Sequence, residues 1–223
     1  MGIRSKVFAL TYDRQMARTE EKGLREMRQR LIVQAAGRVL EIGGGTGANL
    51  PFYGPDVDSL TVTEPEPAML RRLSRHARDR TPHATVLRAP AEDLPFEDDS
   101  FDVAVSTLVL CGVSDQPRAL RQLARVLRPG GRLLFLEHVR SGDPRRARHQ
   151  DRFNWLNRLV VCCECNRPTL HSIAEAGFVI DHVEYGELPG TPAFIGPAAQ
   201  GSAVLQEQGP GARPTAGTRQ TPA

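Results

Sequence analysis

Residues 41–49 read Glu-Ile-Gly-Gly-Gly-Thr-Gly-Ala-Asn, with four glycines in five positions directly after an apolar run at 38–42. Glycine lets a backbone turn tightly and approach a ligand with no Cβ in the way. In an open parallel sheet the crevice beyond the carboxyl end of the first strand is where ligands sit. Acidic residues follow the next two strand patterns: Glu64, which is 17 residues beyond Gly47, and Glu92 in Ala91-Glu92-Asp93-Leu94-Pro95-Phe96. Gly43, Gly45 and Ala48 also fit the dinucleotide fingerprint GxGxxG/A, a pattern of little specificity by itself. Glu41 stands where a nicotinamide site carries an apolar strand residue, and Glu64 can accept both ribose hydroxyls of either kind of cofactor. A crevice holding Glu41, Glu64 and Glu92 with little basic charge suits a cationic nucleoside better than a pyrophosphate. S-adenosylmethionine, with its sulfonium and ammonium, is such a ligand.

His138 follows Glu137 at the end of the fifth strand pattern, where an open sheet presents groups to substrate, and is the candidate general base. Asp115, His149, Asp151 and His171 are weaker alternatives. Cys111 follows Leu108-Val109-Leu110 and reads as a small buried hydrophobe. Cys162, Cys163 and Cys165 with His171 invite a metal, but zinc sites space a cysteine pair by two to four residues and repeat the pair elsewhere. No metal site is expected on that spacing. Nor is a disulfide framework, so the cysteines point to a reducing, cytoplasmic setting.

These groups must be carried by an alternation of strands and helices. Strand patterns occur at 38–42, 59–63, 84–88, 101–106 and 132–137, with helix-like windows at 47–52, 66–80 and 116–127. Strands separated by helices of that length pair in parallel through right-handed crossovers, so an α/β doubly wound, Rossmann-like sheet with helices on both faces is expected. Residues 1–36 read as an N-terminal helical extension and 37–205 as the domain. A helical insertion follows strand five: 140–148 is a basic loop, 150–161 a helix carrying Phe153, Trp155, Leu156 and Leu159, and 169–176 a helix ending at Gly177. Strand patterns resume at 178–185 and 200–205, and 206–223 is expected to be a disordered tail.

Composition excludes other classes. Apolar residues make up 40% and charged residues 25% of 223, close to a globular average. Lys+Arg 29 against Asp+Glu 26 leaves +3, and the basic residues, nearly all arginine, are spread along the chain except for a knot at 140–152. A nucleic-acid partner is therefore not expected. No run approaches the roughly 18 apolar residues of a spanning helix, so no stable membrane insertion is expected either. Arg4 and Lys6 precede too short an apolar stretch for a secretory signal.

The segments 41–47 (ExGxGxG), Glu64, 91–96 with Ser100-Phe101-Asp102 behind it, and Leu127-Arg128-Pro129-Gly130-Gly131-Arg132 resemble the class I S-adenosylmethionine-dependent methyltransferases, in order and spacing. The resemblance implies a seven-stranded, mostly parallel sheet and S-adenosylmethionine as cofactor. It implies that Glu41, Gly43, Gly45 and Gly47 hold the methionine end, that Glu64 takes the ribose and that Pro65 lies against the adenine. Ala91 and Glu92 would address the adenine edge, with Leu94 on its other face. Ser106, Thr107 and Leu108 would line the path to the methyl group, with Trp155 contributing to the substrate pocket. The segments 107–113, Glu137-His138-Val139 and 163–169 are similar to the methyltransferase-like 7 group and its bacterial relatives, within the type 11 superfamily, a group associated with small thiols. A small-molecule methyl acceptor follows, a thiol first, then a quinone or phenol, then a lipid-headgroup amine. The rival class, a nicotinamide-dependent oxidoreductase, predicts hydride-transfer machinery such as Tyr-x-x-x-Lys; the only lysines are Lys6 and Lys22. The oligomeric state is not legible.

Overall fold

Val39, Leu40, Glu41 and Ile42 are buried in succession, as a strand covered on both faces requires. The computed structural model describes residues 16–160 and 163–206. Its strands are β1 (Gly37–Ile42), β2 (Val57–Thr63), β3 (Thr85–Leu87), β4 (Phe101–Thr107), β5 (Leu127–His138), β6 (Phe178–Glu187) and β7 (Pro197–Leu205). They form one seven-stranded sheet in the order β3-β2-β1-β4-β5-β7-β6. β1 pairs in parallel with β2 and with β4, and β4 with β5. β7 runs antiparallel to both β5 and β6. The doubly wound, mostly parallel sheet expected from the alternation is therefore present.

The helices are α1 (Arg25–Ile32), α2 (Pro67–Arg80), α3 (Gln116–Val126), α4 (Pro144–Val160) and α5 (Thr169–Glu175). Successive residues of β5 feed opposite layers, as strand alternation dictates. Leu133 and Phe135 join the core under α3, whereas Leu134 and Leu136 join the core with Val39, Val62 and the N-terminal helices. Leu24, Leu31 and Ile32 are fully buried in that second layer, so 16–36 is built into the domain. A π-helical turn, Glu20–Leu24, with Gly23 at φ 134° reorients the chain ahead of α1.

Several element boundaries differ from expectation. The helix expected over 47–52 is a run of turns closing in a short 3-10 segment, Leu50–Phe52; Pro51 lacks an N–H and stops a longer helix. The basic stretch 140–148 is not all loop: α4 begins at Pro144, with Asp143 Oδ1 accepting the Arg145 N–H at 2.9 Å. β5 begins five residues before the expected strand, and β7 three. Gly177, at φ 93°, closes α5 as expected. Of the tail only Gln206 is described; residues 207–223, 1–15, Val161 and Cys162 lie outside the described residues. Among those described, no helix is long and apolar enough to cross a membrane.

At the end of the sheet opposite the glycine loop, Asp102 ties three segments together. It accepts the Arg38 backbone N–H at 2.8 Å, the Arg38 guanidinium at 3.1 Å and Arg128 Nε at 2.7 Å. The Arg38 hydrogen bond holds its carboxyl well below the usual aspartate range. A lowered folded value means stability that is present above the unfolded value, 3.8, and lost as pH falls. Both arginines are half exposed, which weakens the pairs. Asp102→Ala is expected to lower stability at neutral pH by about 1–2 kcal/mol. Urea titrations at neutral and acid pH check this, since the difference from wild type must shrink as the medium is acidified.

Candidate functional site

The carboxyl ends of β1, β2 and β4 open into a cleft of about 730 Å³. Its floor is the glycine loop. Gly43 sits at φ 57°, and a Cβ there would come within 2.7 Å of Val109, so the loop needs glycine for its conformation and for its packing. Gly45, also at positive φ, leaves room on the cleft side, where an added Cβ would meet only Gly43 O at 4.0 Å. Gly47 lies off the cleft: its added Cβ would strike Leu50 at 2.7 Å, so it serves the turn.

Glu64 is buried at the end of β2 with both oxygens anchored. Oε2 accepts the Gly45 N–H at 2.9 Å and Oε1 the Glu66 N–H at 2.8 Å. Each oxygen keeps a lone pair, and the carboxylate lines the cleft. Burial pushes it up to about 6, against two backbone hydrogen bonds that pull it down. Pro65, Met69, Ala91, Glu92 and Asp93 line the same wall. Glu92 also accepts the Ser114 N–H at 2.9 Å, joining that wall to the loop after β4. Carboxylates of Glu64, Glu92, Asp93 and Asp115 face one guanidinium, Arg118, so the lining is acidic as expected.

Glu41 is buried behind the glycine loop. It accepts Asn49 Nδ2 at 2.9 Å and the Tyr53 hydroxyl at 2.6 Å, and burial raises its carboxyl. Beside it Arg28, only 4% exposed, donates to Glu20 at 2.9 Å, to Asn49 Oδ1 at 3.1 Å and to Thr107 Oγ1 at 3.0 Å. Arg28, Glu41 and Asn49 line a small recess that shares Gly43, Gly45 and Thr107 with the cleft. A buried cation beside a buried carboxylate is a natural receptor for a zwitterion. Arg28 was not singled out in the sequence, where it sits in a polar stretch among other arginines.

Several expected site residues stand elsewhere. Leu94 is packed in the core, because the chain turns inward after Asp93. Ser106 points away from the cleft and donates to Glu137 Oε1 at 2.6 Å; strand alternation leaves Thr107 on the cleft side. Trp155 is 61% exposed on α4 and does not line the cleft, and its neighbours Phe153 and Leu156 are exposed too, contrary to a core stripe. His149 and His171 are exposed, and Asp151 forms a surface pair with Arg140 at 2.6 Å. Of the alternative bases only Asp115 lines the cleft, and there it caps α3 by accepting the Arg118 N–H at 2.9 Å.

His138 is buried behind the cleft wall and contacts no loop carbonyl through its ring. Its Nδ1 lies 3.4 Å from Cys111 Sγ and 3.2 Å from Cys163 Sγ. The residue before it, Glu137, organises the loop that forms the wall. Oε1 accepts Ser106 Oγ, the Val109 N–H and the Leu110 N–H, and Oε2 accepts the Cys111 N–H. Leu108, at the start of this loop, is held at φ 59°, a left-handed conformation that a branched side chain adopts only under constraint.

The family described as "Methyltransferase domain" matches residues 40–135. The chain is similar to thiol S-methyltransferase TMT1A of Homo sapiens, 37% identical over 136 residues that cover 59% of this chain and 55% of the relative. It is also similar to thiol S-methyltransferase TMT1B of Mus musculus, 34% identical over 172 residues, covering 74% and 70%. The match spans about half the length of the human relative. Among solved structures, the fold is shared with an S-adenosylmethionine-dependent methyltransferase of Thermotoga maritima, described as a possible histamine N-methyltransferase. That likeness has a TM-score of 0.67 at 22% identity and covers 92% of this chain and 100% of the other.

Proposed function

The chain belongs to the methyltransferase-domain family, and from that membership we propose that it transfers a methyl group from S-adenosylmethionine to a small-molecule thiol. The chain's own residues fit the cofactor. The glycine loop leaves the approach clear at Gly45, Glu64 offers free lone pairs to two ribose hydroxyls, and Pro65, Ala91 and Glu92 line the wall where a base would lie. Arg28 and Glu41 offer opposite charges to the carboxylate and ammonium of the methionine end. When bound, the sulfonium supplies an already activated methyl group. The chain then has to bind, align and exclude water.

One observation carries the choice of acceptor. Among the described residues, the cleft lining contains no histidine, lysine, tyrosine or cysteine. Glu64, the lining carboxylate with a raised value, is assigned to the ribose. A thiol, with an ordinary pKa near 8.5, provides thiolate without a dedicated base, whereas a phenol near 10 needs one. Leu108, Val109 and Val113 supply an apolar flank for the acceptor. His138, out of the cleft, is not assigned as a base. A cytoplasmic location remains part of the proposal.

Calorimetry with S-adenosylmethionine, S-adenosylhomocysteine and NAD is expected to show binding of the first two alone. Tight NAD binding with no response to the others would end the cofactor assignment. A labelled-methyl assay over thiols, quinols, phenols and amines tests the acceptor; product on a quinol ring and none on thiols would replace this reading with C-methylation. The same titrations carry a pH signature. Only ionised Glu64 accepts both hydroxyls, so cofactor affinity is expected to fall by about tenfold for each unit below 6 and to be flat above it. In the free protein the sign is opposite. The raised value gives stability present below 4.5 and lost as pH rises through about 6.

A further inference from the structure

We propose that Cys111, His138 and Cys163 form a zinc site, with Cys165, which stands outside that cluster beside Cys163, swinging in as the fourth ligand when the ion binds. The donors come from three separate elements: the loop after β4, the last residue of β5 and the segment between α4 and α5. The ligand atoms of the first three all lie within 4.8 Å of one another and all three residues are buried. His138 Nδ1 is 3.4 Å from Cys111 Sγ and 3.2 Å from Cys163 Sγ, and Cys165 Sγ is 3.9 Å from Cys163 Sγ. A tetrahedral zinc with sulfur at about 2.3 Å and nitrogen at about 2.0–2.1 Å separates its ligand pairs by roughly 3.5–3.8 Å. The two nitrogen–sulfur spacings fall just short of that range and the sulfur–sulfur spacing just beyond it, so small side-chain shifts bring the ligands to tetrahedral distances.

The donor set is sulfur and imidazole, with no carboxylate oxygen among the four. That chemistry selects zinc over magnesium or calcium. Binding involves no redox step: the coordinating thiols give up their protons to solvent, and neutral His138 donates the Nδ1 lone pair. The opposite ring nitrogen, Nε2, is buried without a partner, so the imidazole is held from the sulfur side alone.

Groups around the ligands hold the backbone that carries them. Glu137 accepts the Cys111 N–H at 3.2 Å, and Cys111 O accepts the Glu164 N–H at 2.8 Å. Gln150, fully buried on α4, donates to Cys165 O at 2.8 Å and to Val139 O at 3.1 Å. Asn157 Nδ2 donates to Cys165 Sγ at 3.3 Å, and Thr169 Oγ1 to His138 O at 3.2 Å. Such supporting bonds are what orient metal ligands. Four protein ligands leave no open position, so the ion is structural. It would fasten the segment after α4 to the loop whose Gly112, Val113 and Ser114 line the cleft. No metal was expected from the spacing of residues 162–165 and His171, because Cys111 and His138 join the cluster only through the fold.

The test uses the full chain, purified under reducing conditions. Elemental analysis is expected to find about one zinc per chain after zinc loading and dialysis. Replacement by cobalt is expected to give thiolate-to-metal charge-transfer absorption and the strong ligand-field bands of a tetrahedral site. Cys163→Ser and Cys111→Ser are expected to abolish both signals, and Cys165→Ser to weaken them. If a serine variant does not fold, wild type decides: zinc addition must raise its melting temperature and release protons, and a chelator must reverse both. A folded, reduced wild type that takes up no zinc and shows no cobalt–thiolate absorption overturns the proposal. So does zinc retained equally by folded Cys111→Ser and Cys163→Ser. None of these readouts depends on methyl transfer.

Discussion

Glu137→Ala is expected to lose most of the domain's stability. The carboxylate is fully buried and accepts four donors, three of them the successive backbone N–H groups of Val109, Leu110 and Cys111 and the fourth the Ser106 hydroxyl. Burial pushes its carboxyl up, but four converging donors are the environment of an anion. Alanine leaves all four donors without their acceptor, three of them away from water and the Val109 N–H at the cleft. At about 1–3 kcal/mol for each unsatisfied buried group, the sum is roughly 4–12 kcal/mol, comparable with the whole stability of a typical domain. Glu137→Gln keeps the shape and one acceptor oxygen, and its loss is expected to be about half as large. Chemical unfolding measures both; a melting temperature for the alanine variant within a few degrees of wild type would refute this account of the loop. The left-handed Leu108 depends on the same anchor, so a folded alanine variant should also lose acceptor selectivity before cofactor affinity.

Glu64→Ala is expected to produce the largest change in cofactor binding. Two charge-assisted hydrogen bonds to ribose disappear, at roughly 1.5–3 kcal/mol each, so the dissociation constant should rise at least about a hundredfold. The variant also releases the Gly45 and Glu66 N–H groups, which loosens the glycine loop. Glu64→Gln separates the two effects: its amide oxygen can still hold one N–H, and its affinity loss should lie near tenfold with no dependence on pH between about 5 and 7. Equal dissociation constants for wild type and the alanine variant, for both S-adenosylmethionine and S-adenosylhomocysteine, would remove Glu64 from the ribose site.

What was legible in the sequence is what depends on local pattern. The strands of the parallel sheet, α2, α3 and the glycine loop all follow from period, glycine and proline. The start of α4 was legible too, in Asp143 followed by Pro144, a capping residue ahead of a first-turn proline. The basic charge around it drew the loop assignment instead. Ser106 and Thr107 could not both face the cleft, since adjacent strand residues point to opposite sides. The rest is long-range. Arg28 meets Thr107 across 79 positions of chain and Cys163 meets His138 across 25, and no local window holds such pairs. The end of β5 marks His138 as a candidate by its place in the sheet, while Glu137 beside it carries the hydrogen bonds.

The place of β7 has a consequence for how the chain acquires its fold. This strand, Pro197–Leu205, is the last in the described chain, yet it lies inside the sheet, between β5 and β6. It pairs with β5 from Arg132↔Val204 to His138↔Ala198, contacts that are far apart in sequence. Until residue 205 has left the ribosome, β5 presents an unpaired edge with Leu133, Leu134, Phe135 and Leu136 in a row. The domain therefore completes its sheet only after residue 205 is available, and until then β5 carries an apolar edge open to aggregation. Nascent chains truncated before residue 197 are the species on which a chaperone that binds extended apolar segments would act.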